Sequence, residues 1–169
     1  MKFYNKYTVL FIVFYLLQII WFNHLLFFNR FSPLVFIYPF LLLPIGKNEI
    51  LNMLLAFIYG LLLDVASNTG GIFSATSVLI VYLRKVFIIL ITNKTPSDLN
   101  FFRIEQLSII QKLVYFFVLI FLTHLFLYSF EAFNFKLVGY KITLILINTF
   151  VTFFIFILID LLFFSSRKK

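Results

Sequence analysis

The chain has 169 residues, of which 63% are hydrophobic and only 12% charged, and phenylalanine alone supplies 27. A water-soluble domain of this size could not cover so much apolar surface, which excludes a soluble globular enzyme, a disordered tail and a nucleic-acid reader. The net charge of +8, from 14 Lys+Arg against 6 Asp+Glu, fits basic residues that anchor membrane helices on the cytoplasmic side.

The expected fold is therefore all-α: a polytopic integral membrane protein in a single domain, 1–169. A helix needs about 20 apolar residues to cross the bilayer core, and six stretches are candidate spans. The first, 7–28, follows Lys2 and Lys6. It is too long for a cleaved signal segment and lacks a small-x-small cleavage site, so it reads as a retained membrane helix. The second, 31–45, is short and holds Pro33, Pro39 and Pro44. Pro39 removes a backbone donor and is expected to kink this helix, which neighbouring helices can accommodate; a re-entrant segment is the alternative.

The third span, 50–66, and the fourth, 71–91, are joined by Asn68-Thr69-Gly70-Gly71, where two glycines suit a tight turn. The one sizeable polar stretch, 92–112, follows. Ser97 or Asp98 is placed to cap a short helix there, with Leu99, Phe101, Phe102, Ile104 and Leu107 as its apolar face. It reads as an interfacial segment on the cytoplasmic surface, either a docking surface or a plain linker. The fifth span is 113–130 and the sixth 142–164. Trp21 and several tyrosines fall near span ends, as interface anchors do.

Lysine and arginine counting sets the orientation. With six crossings and both termini cytoplasmic, the inner side holds Lys2, Lys6, Lys47, Arg84, Lys85, Lys94, Arg103, Lys112, Arg167, Lys168 and Lys169. The outer side holds only Arg30, Lys136 and Lys141. Eleven against three favours an even number of crossings.

Polar groups inside spans are the informative residues, because they are expensive unless paired. They are Gln18, Asn23, His24, Asp64, Arg84, Lys85, His124, Asn148 and Asp160. Asp64 reads either as a packing hub or partner contact, or as a helix-end carboxylate reaching headgroup water. Asp64 and Arg84 differ in depth by roughly 15 Å at the helical rise, which argues against a direct bridge. Asp160 is better placed, and an Asp160–Arg84 ion pair (or one to Lys85) would clamp the fourth span to the sixth. His24 and His124 read as interhelical hydrogen-bonding residues. Gly60, Ser74, Ala75, Thr76 and Ser77 would let the third and fourth helices pack closely.

There is no cysteine, which removes disulfides and thiolate sites. No paired carboxylates, Ser–His neighbours, HExxH or phosphate-loop pattern occurs. The sequence thus predicts no catalytic residues, no metal site and no cofactor.

One stretch resembles a known family. Residues 37–87 carry Tyr38-Pro39-Phe40 through Leu43-Pro44, then Gly60-Leu61-Leu62-Leu63-Asp64, then the Gly70-Gly71 turn, then Tyr82-Leu83-Arg84. This order resembles the rod shape-determining protein MreD family, as do the length, the basic termini and about six spans. The sequence departs from the family pattern at the turn, where Thr69 stands before Gly70 in place of a frequent proline. The resemblance implies a non-enzymatic component of the bacterial inner membrane that regulates cell shape. Such a protein would bind an MreC-like bitopic protein and help couple the MreB cytoskeleton to peptidoglycan synthesis by the elongation complex. It marks Pro39, Pro44, Gly60, Asp64, Gly70 and Arg84 as structural or partner-contact residues. MreD-like proteins are also similar to the substrate-binding subunits of energy-coupling-factor transporters. The alternative reading is therefore a membrane subunit that binds a small molecule in a pocket lined by groups such as Asn23, His24, Asp64 and Asn68.

Overall fold

The computed structural model describes residues 2–22, 32–46, 48–95, 102–130 and 138–164. Its helices are α1 (Lys2–Leu17), α2 (Tyr38–Leu42), α3 (Glu49–Ser67), α4 (Ile72–Thr92), α5 (Ile109–Phe130) and α6 (Val138–Phe164). A π-helical turn, Gln18–Phe22, extends α1. Short 3-10 turns cover Val35–Ile37 and Ile104–Gln106. No strand occurs among the described residues, where one isolated antiparallel bridge pairs Ile45 with Phe102.

Helices α3, α4, α5 and the Lys141–Leu162 stretch of α6 are long and apolar enough to cross a membrane. Their outward faces are apolar: Ile50 is 85% exposed, Val65 83% and Ile110 75%. Contiguous faces of this kind suit lipid rather than water, and the protein reads as membrane-embedded. These helices match the expected spans 50–66, 71–91, 113–130 and 142–164, with α5 and α6 each starting about a turn earlier. The first span is helical as far as Phe22, and its remainder lies outside the described residues.

The second span differs from expectation. Residues 32–45 do not form a kinked membrane-length helix. Only Val35–Leu42 is helical, first as a 3-10 turn and then as the five-residue α2. The prolines account for this. Pro39 sits in the first turn of α2, where its missing N–H breaks no helical bond. Pro44 then bars the preceding residue from helical geometry; Leu43 stands at φ −58°, ψ 136° and the helix stops.

This broken segment is nevertheless the most buried stretch among the described residues, with Val35, Phe36, Ile37, Tyr38, Phe40 and Leu41 each 1% exposed or less. It runs antiparallel to α1: Tyr38 stacks on Phe14 at 4.9 Å, and Phe40 meets Phe11 edge-on at 4.8 Å. It runs alongside α6, where Ser32, Leu34 and Tyr38 meet Asn148, Thr152 and Phe156 in turn. It leaves the bundle beside the chain at Phe102, where the Ile45 N–H donates to the Phe102 carbonyl at 2.9 Å. The segment thus runs along the bundle axis without turning back, enclosed by the other helices. Irregular backbone at membrane depth is tolerable only in such a place.

Helices α3 to α6 pack as successive antiparallel neighbours. The start of α1 and the end of α6 lie at one end of the bundle. Tyr7 is within electrostatic reach of Glu105, Arg103 and Arg84, and Asp160 meets Lys112 at the start of α5.

The short helix expected in the 92–112 stretch falls largely on residues 96–101, outside the described residues. After residue 101 the chain carries a 3-10 turn, Ile104–Gln106. Phe102, Ile104 and Leu107 are buried, while Arg103, Glu105 and Gln106 point outward. The alternation turns these three apolar side chains into the core of the bundle. The proposed caps Ser97 and Asp98 lie outside the described residues.

Candidate functional site

The polar residues of the bundle form a connected frame, and each part answers a specific backbone need. The first part is the α3–α4 hairpin. Every helix begins with N–H groups that lack an intrahelical partner. At the start of α4 these groups are satisfied from α3. One carboxylate oxygen of Asp64 accepts the Phe73 N–H at 2.9 Å and the Thr69 hydroxyl at 2.6 Å. The other accepts the Ser74 N–H at 2.9 Å. Asp64 is 5% exposed, so it serves as an N-cap supplied in trans, and its charge complements the positive end of the α4 dipole. The carboxylate does not reach out to headgroup water.

Gly60 makes that reach feasible. A side-chain carbon there would overlap Ser74 Cα and lie 2.7 Å from the Ser74 nitrogen and 2.8 Å from the Phe73 carbonyl oxygen. The backbones touch at this point, and one helical turn later Asp64 meets the same two residues. The turn itself needs left-handed backbone: Asn68 stands at φ 55°, Gly70 at 63° and Gly71 at 100°, which favours glycine and asparagine. The pattern Gly60-x-x-x-Asp64 and Gly70 is thus a hairpin clasp.

The second part is Arg84, 0% exposed. One guanidinium nitrogen donates to the Phe40 carbonyl at 2.5 Å and the Leu43 carbonyl at 2.9 Å. The other donates to Glu49 at 3.3 Å. Phe40 and Leu43 lie at the C-terminal end of α2, where helix carbonyls are orphaned and the dipole is negative. Arg84 is therefore a cationic C-cap supplied from α4. Tyr115 adds a third bond, donating to the Leu41 carbonyl at 3.3 Å. The other Glu49 oxygen accepts the Gly46 N–H at 3.0 Å, which ties the exit of the broken segment to the start of α3. Pro39 and Pro44 create the broken helix that these caps serve.

The third part caps the other end of the same unit. Gln18, 0% exposed, accepts the Val35 N–H at 2.8 Å and the Phe36 N–H at 3.2 Å through its side-chain carbonyl. Its amide donates to the Pro33 carbonyl at 3.4 Å. From α6, Asn148 accepts the Ser32 N–H at 2.8 Å and Thr152 the Leu34 N–H at 3.3 Å. His124 bridges α5 to α6 through Thr152 at 3.1 Å, an interhelical bond as its sequence context implied. Asn23 and His24 lie outside the described residues.

The expected Asp160–Arg84 clamp is not formed, and neither is one from Asp160 to Lys85. Asp160 instead pairs with Lys112 of α5, at 2.5 and 2.6 Å to its two oxygens. Register explains the difference. The approach of Gly60 to Ser74 sets the antiparallel α3–α4 hairpin, and continuing it brings Glu49 opposite Arg84. Sequence reasoning did not single out Glu49 or Lys112. The hairpin register, countable from the turn, was the signal for Glu49. Lys112 carried no signal beyond its place at the start of a helix.

Among the described residues, no three potential metal ligands come together. Comparison with known protein families, curated proteins and solved structures finds no match.

Proposed function

We propose that the chain is a non-enzymatic scaffold of the bacterial cytoplasmic membrane. In this reading it belongs to the cell-elongation complex, binds an MreC-like bitopic protein and helps link the MreB cytoskeleton to peptidoglycan synthesis. The motif resemblance motivates the reading. One observation carries it: Gly60, Asp64, Gly70 and Arg84 all serve internal architecture. Asp64 and Arg84 together hold four backbone groups in place. A framework whose polar groups are engaged in this way suits a rigid partner-binding body.

The transporter reading would place Asp64 in the wall of a ligand pocket. Its engagement with Thr69, Phe73 and Ser74 counts against that. Both termini are taken as cytoplasmic, since Lys85, Lys94, Arg103 and Lys112 cluster toward the end where α1 begins.

The test is mild-detergent purification of a tagged copy from membranes of its native host. Recovery of an MreC-like bitopic protein supports the scaffold. Recovery of ATPase subunits, or of a bound vitamin-sized molecule without such a partner, would replace it with the transporter reading.

A further inference from the structure

Helix α4 turns one face to the polar frame, through Ser74 and Arg84, and another face outward. The outward face carries Tyr82, Val86 and Leu90, which are 56%, 39% and 64% exposed. Two side chains on this side of the helix suit lipid poorly. Tyr82 stands at the middle of the 21-residue helix, whereas tyrosines on a membrane surface favour the headgroup level. Lys85 follows three residues on, about 60° around the helix, and is partly exposed at the rim of the same face. Among the described residues neither side chain has a hydrogen bond or an ion pair.

Lys85 is set back from the nearer membrane surface. Helix α4 continues for seven residues after it, about 10 Å along the axis, and Val86–Ile91 are all apolar. Side chains on a helix lean toward its N-terminus. In α4 that direction leads to the Gly71 end, so the lysine stem slants away from the nearer surface. An ammonium at such a place is expensive without a counter-charge.

This chain has no carboxylate to spare for it. The described acids within the spans are committed: Glu49 to Arg84, Gly46 and Asn52, Asp64 to the hairpin, and Asp160 to Lys112. Helix α5, which flanks α4, contains no acidic residue. A second copy docked symmetrically on this face would bring another Lys85 instead of an acid. Phospholipid phosphates lie at the surface, past the apolar run that follows Lys85.

We propose that the outward face of α4 around Tyr82 and Lys85 docks a transmembrane helix of another protein, one that carries an aspartate or glutamate within the membrane. That carboxylate accepts from the Lys85 ammonium and the Tyr82 hydroxyl, while Val86 and Leu90 pack on the apolar residues beside it. The partner is defined by this chemistry alone, whichever complex the chain belongs to.

Photo-crosslinking of the full chain in membranes of its native host tests this. Benzoylphenylalanine replaces Val86, one helical turn from Tyr82, which leaves Tyr82 and Lys85 in place. The expected product is a discrete crosslinked protein, with the link mapped by mass spectrometry to a membrane helix that contains an aspartate or glutamate. Lys85→Met lowers the yield several-fold and Lys85→Arg keeps it. Lys85→Glu also abolishes the crosslink, and changing the partner's carboxylate to lysine restores it, which a misfolded variant would not allow. Crosslinks to lipid alone, to a second copy of this chain or to a helix without a carboxylate overturn the proposal. So does a yield indifferent to Lys85→Met.

Discussion

The α3–α4 hairpin and the segment 32–46 meet the same constraint in opposite ways. The hairpin consists of two long helices that satisfy their own backbones, so it needs outside help at one place only, the start of α4. Asp64 supplies that help. The segment is broken by proline and has few bonds of its own. It borrows caps from Gln18 on the α1 extension, Arg84 on α4, Tyr115 on α5 and Asn148 and Thr152 on α6. The polar side chains in this membrane bundle therefore sit where a neighbour's backbone is orphaned. Pairing with one another is secondary.

This comparison predicts a ranking of effects. Arg84→Met should be the most damaging single change, at about 2–6 kcal/mol, because it leaves the buried Phe40 and Leu43 carbonyls without a donor, at about 1–3 kcal/mol each, and removes the cation beside Glu49, whose side chain is 14% exposed. Reversible unfolding in mixed micelles measures it. The charge swap Arg84→Glu with Glu49→Arg sharpens the point. Were Arg84 only an ion-pair partner, the swap would restore stability; as a carbonyl cap it cannot be replaced by glutamate, and the double variant is expected to stay as unstable as Arg84→Met.

Asp64→Ala is next, at about 1–3 kcal/mol, since it leaves the Phe73 and Ser74 N–H groups buried and unbonded. Gly60→Ala is expected to cost about 1–3 kcal/mol through backbone separation. Gly70→Ala should cost about 1–2 kcal/mol, because φ 63° disfavours a side chain although no atom lies within 4 Å of the added carbon. Crosslinking between paired cysteines introduced on α3 and α4 separates the two: Gly60→Ala moves α3 from α4, and Gly70→Ala does not. The smallest effect belongs to Lys112–Asp160. Its side chains are 18% and 21% exposed, and a double-mutant cycle should find about 1 kcal/mol or less. Here the charge swap is expected to rescue, in contrast to Arg84.

The long helices were legible because a bilayer demands long apolar runs, and the runs at 50–66 and 71–91 end in turn residues. Asp64 and Arg84 were legible as rare ionisable groups in such runs. Their backbone partners were not, because main-chain groups carry no sequence label; only Glu49, opposite Arg84 in the hairpin register, could have been counted out from the turn. The fate of 31–45 was only half legible. Three prolines announced a disturbed helix, but whether the chain kinks, returns or continues unwound depends on caps contributed by residues as distant as Thr152. The Asp160 pairing failed for a simpler reason: depth along a span does not say which of two neighbouring helices lies closer.

The central claim is that Arg84 holds the broken segment, and amide hydrogen exchange on the full chain in nanodiscs tests it most directly. In Arg84→Met, protection is expected to fall sharply across residues 35–45 while the first turns of α4, capped by Asp64, exchange as in the wild type. Unchanged protection across 35–45, or an equal loss in both regions, would contradict it.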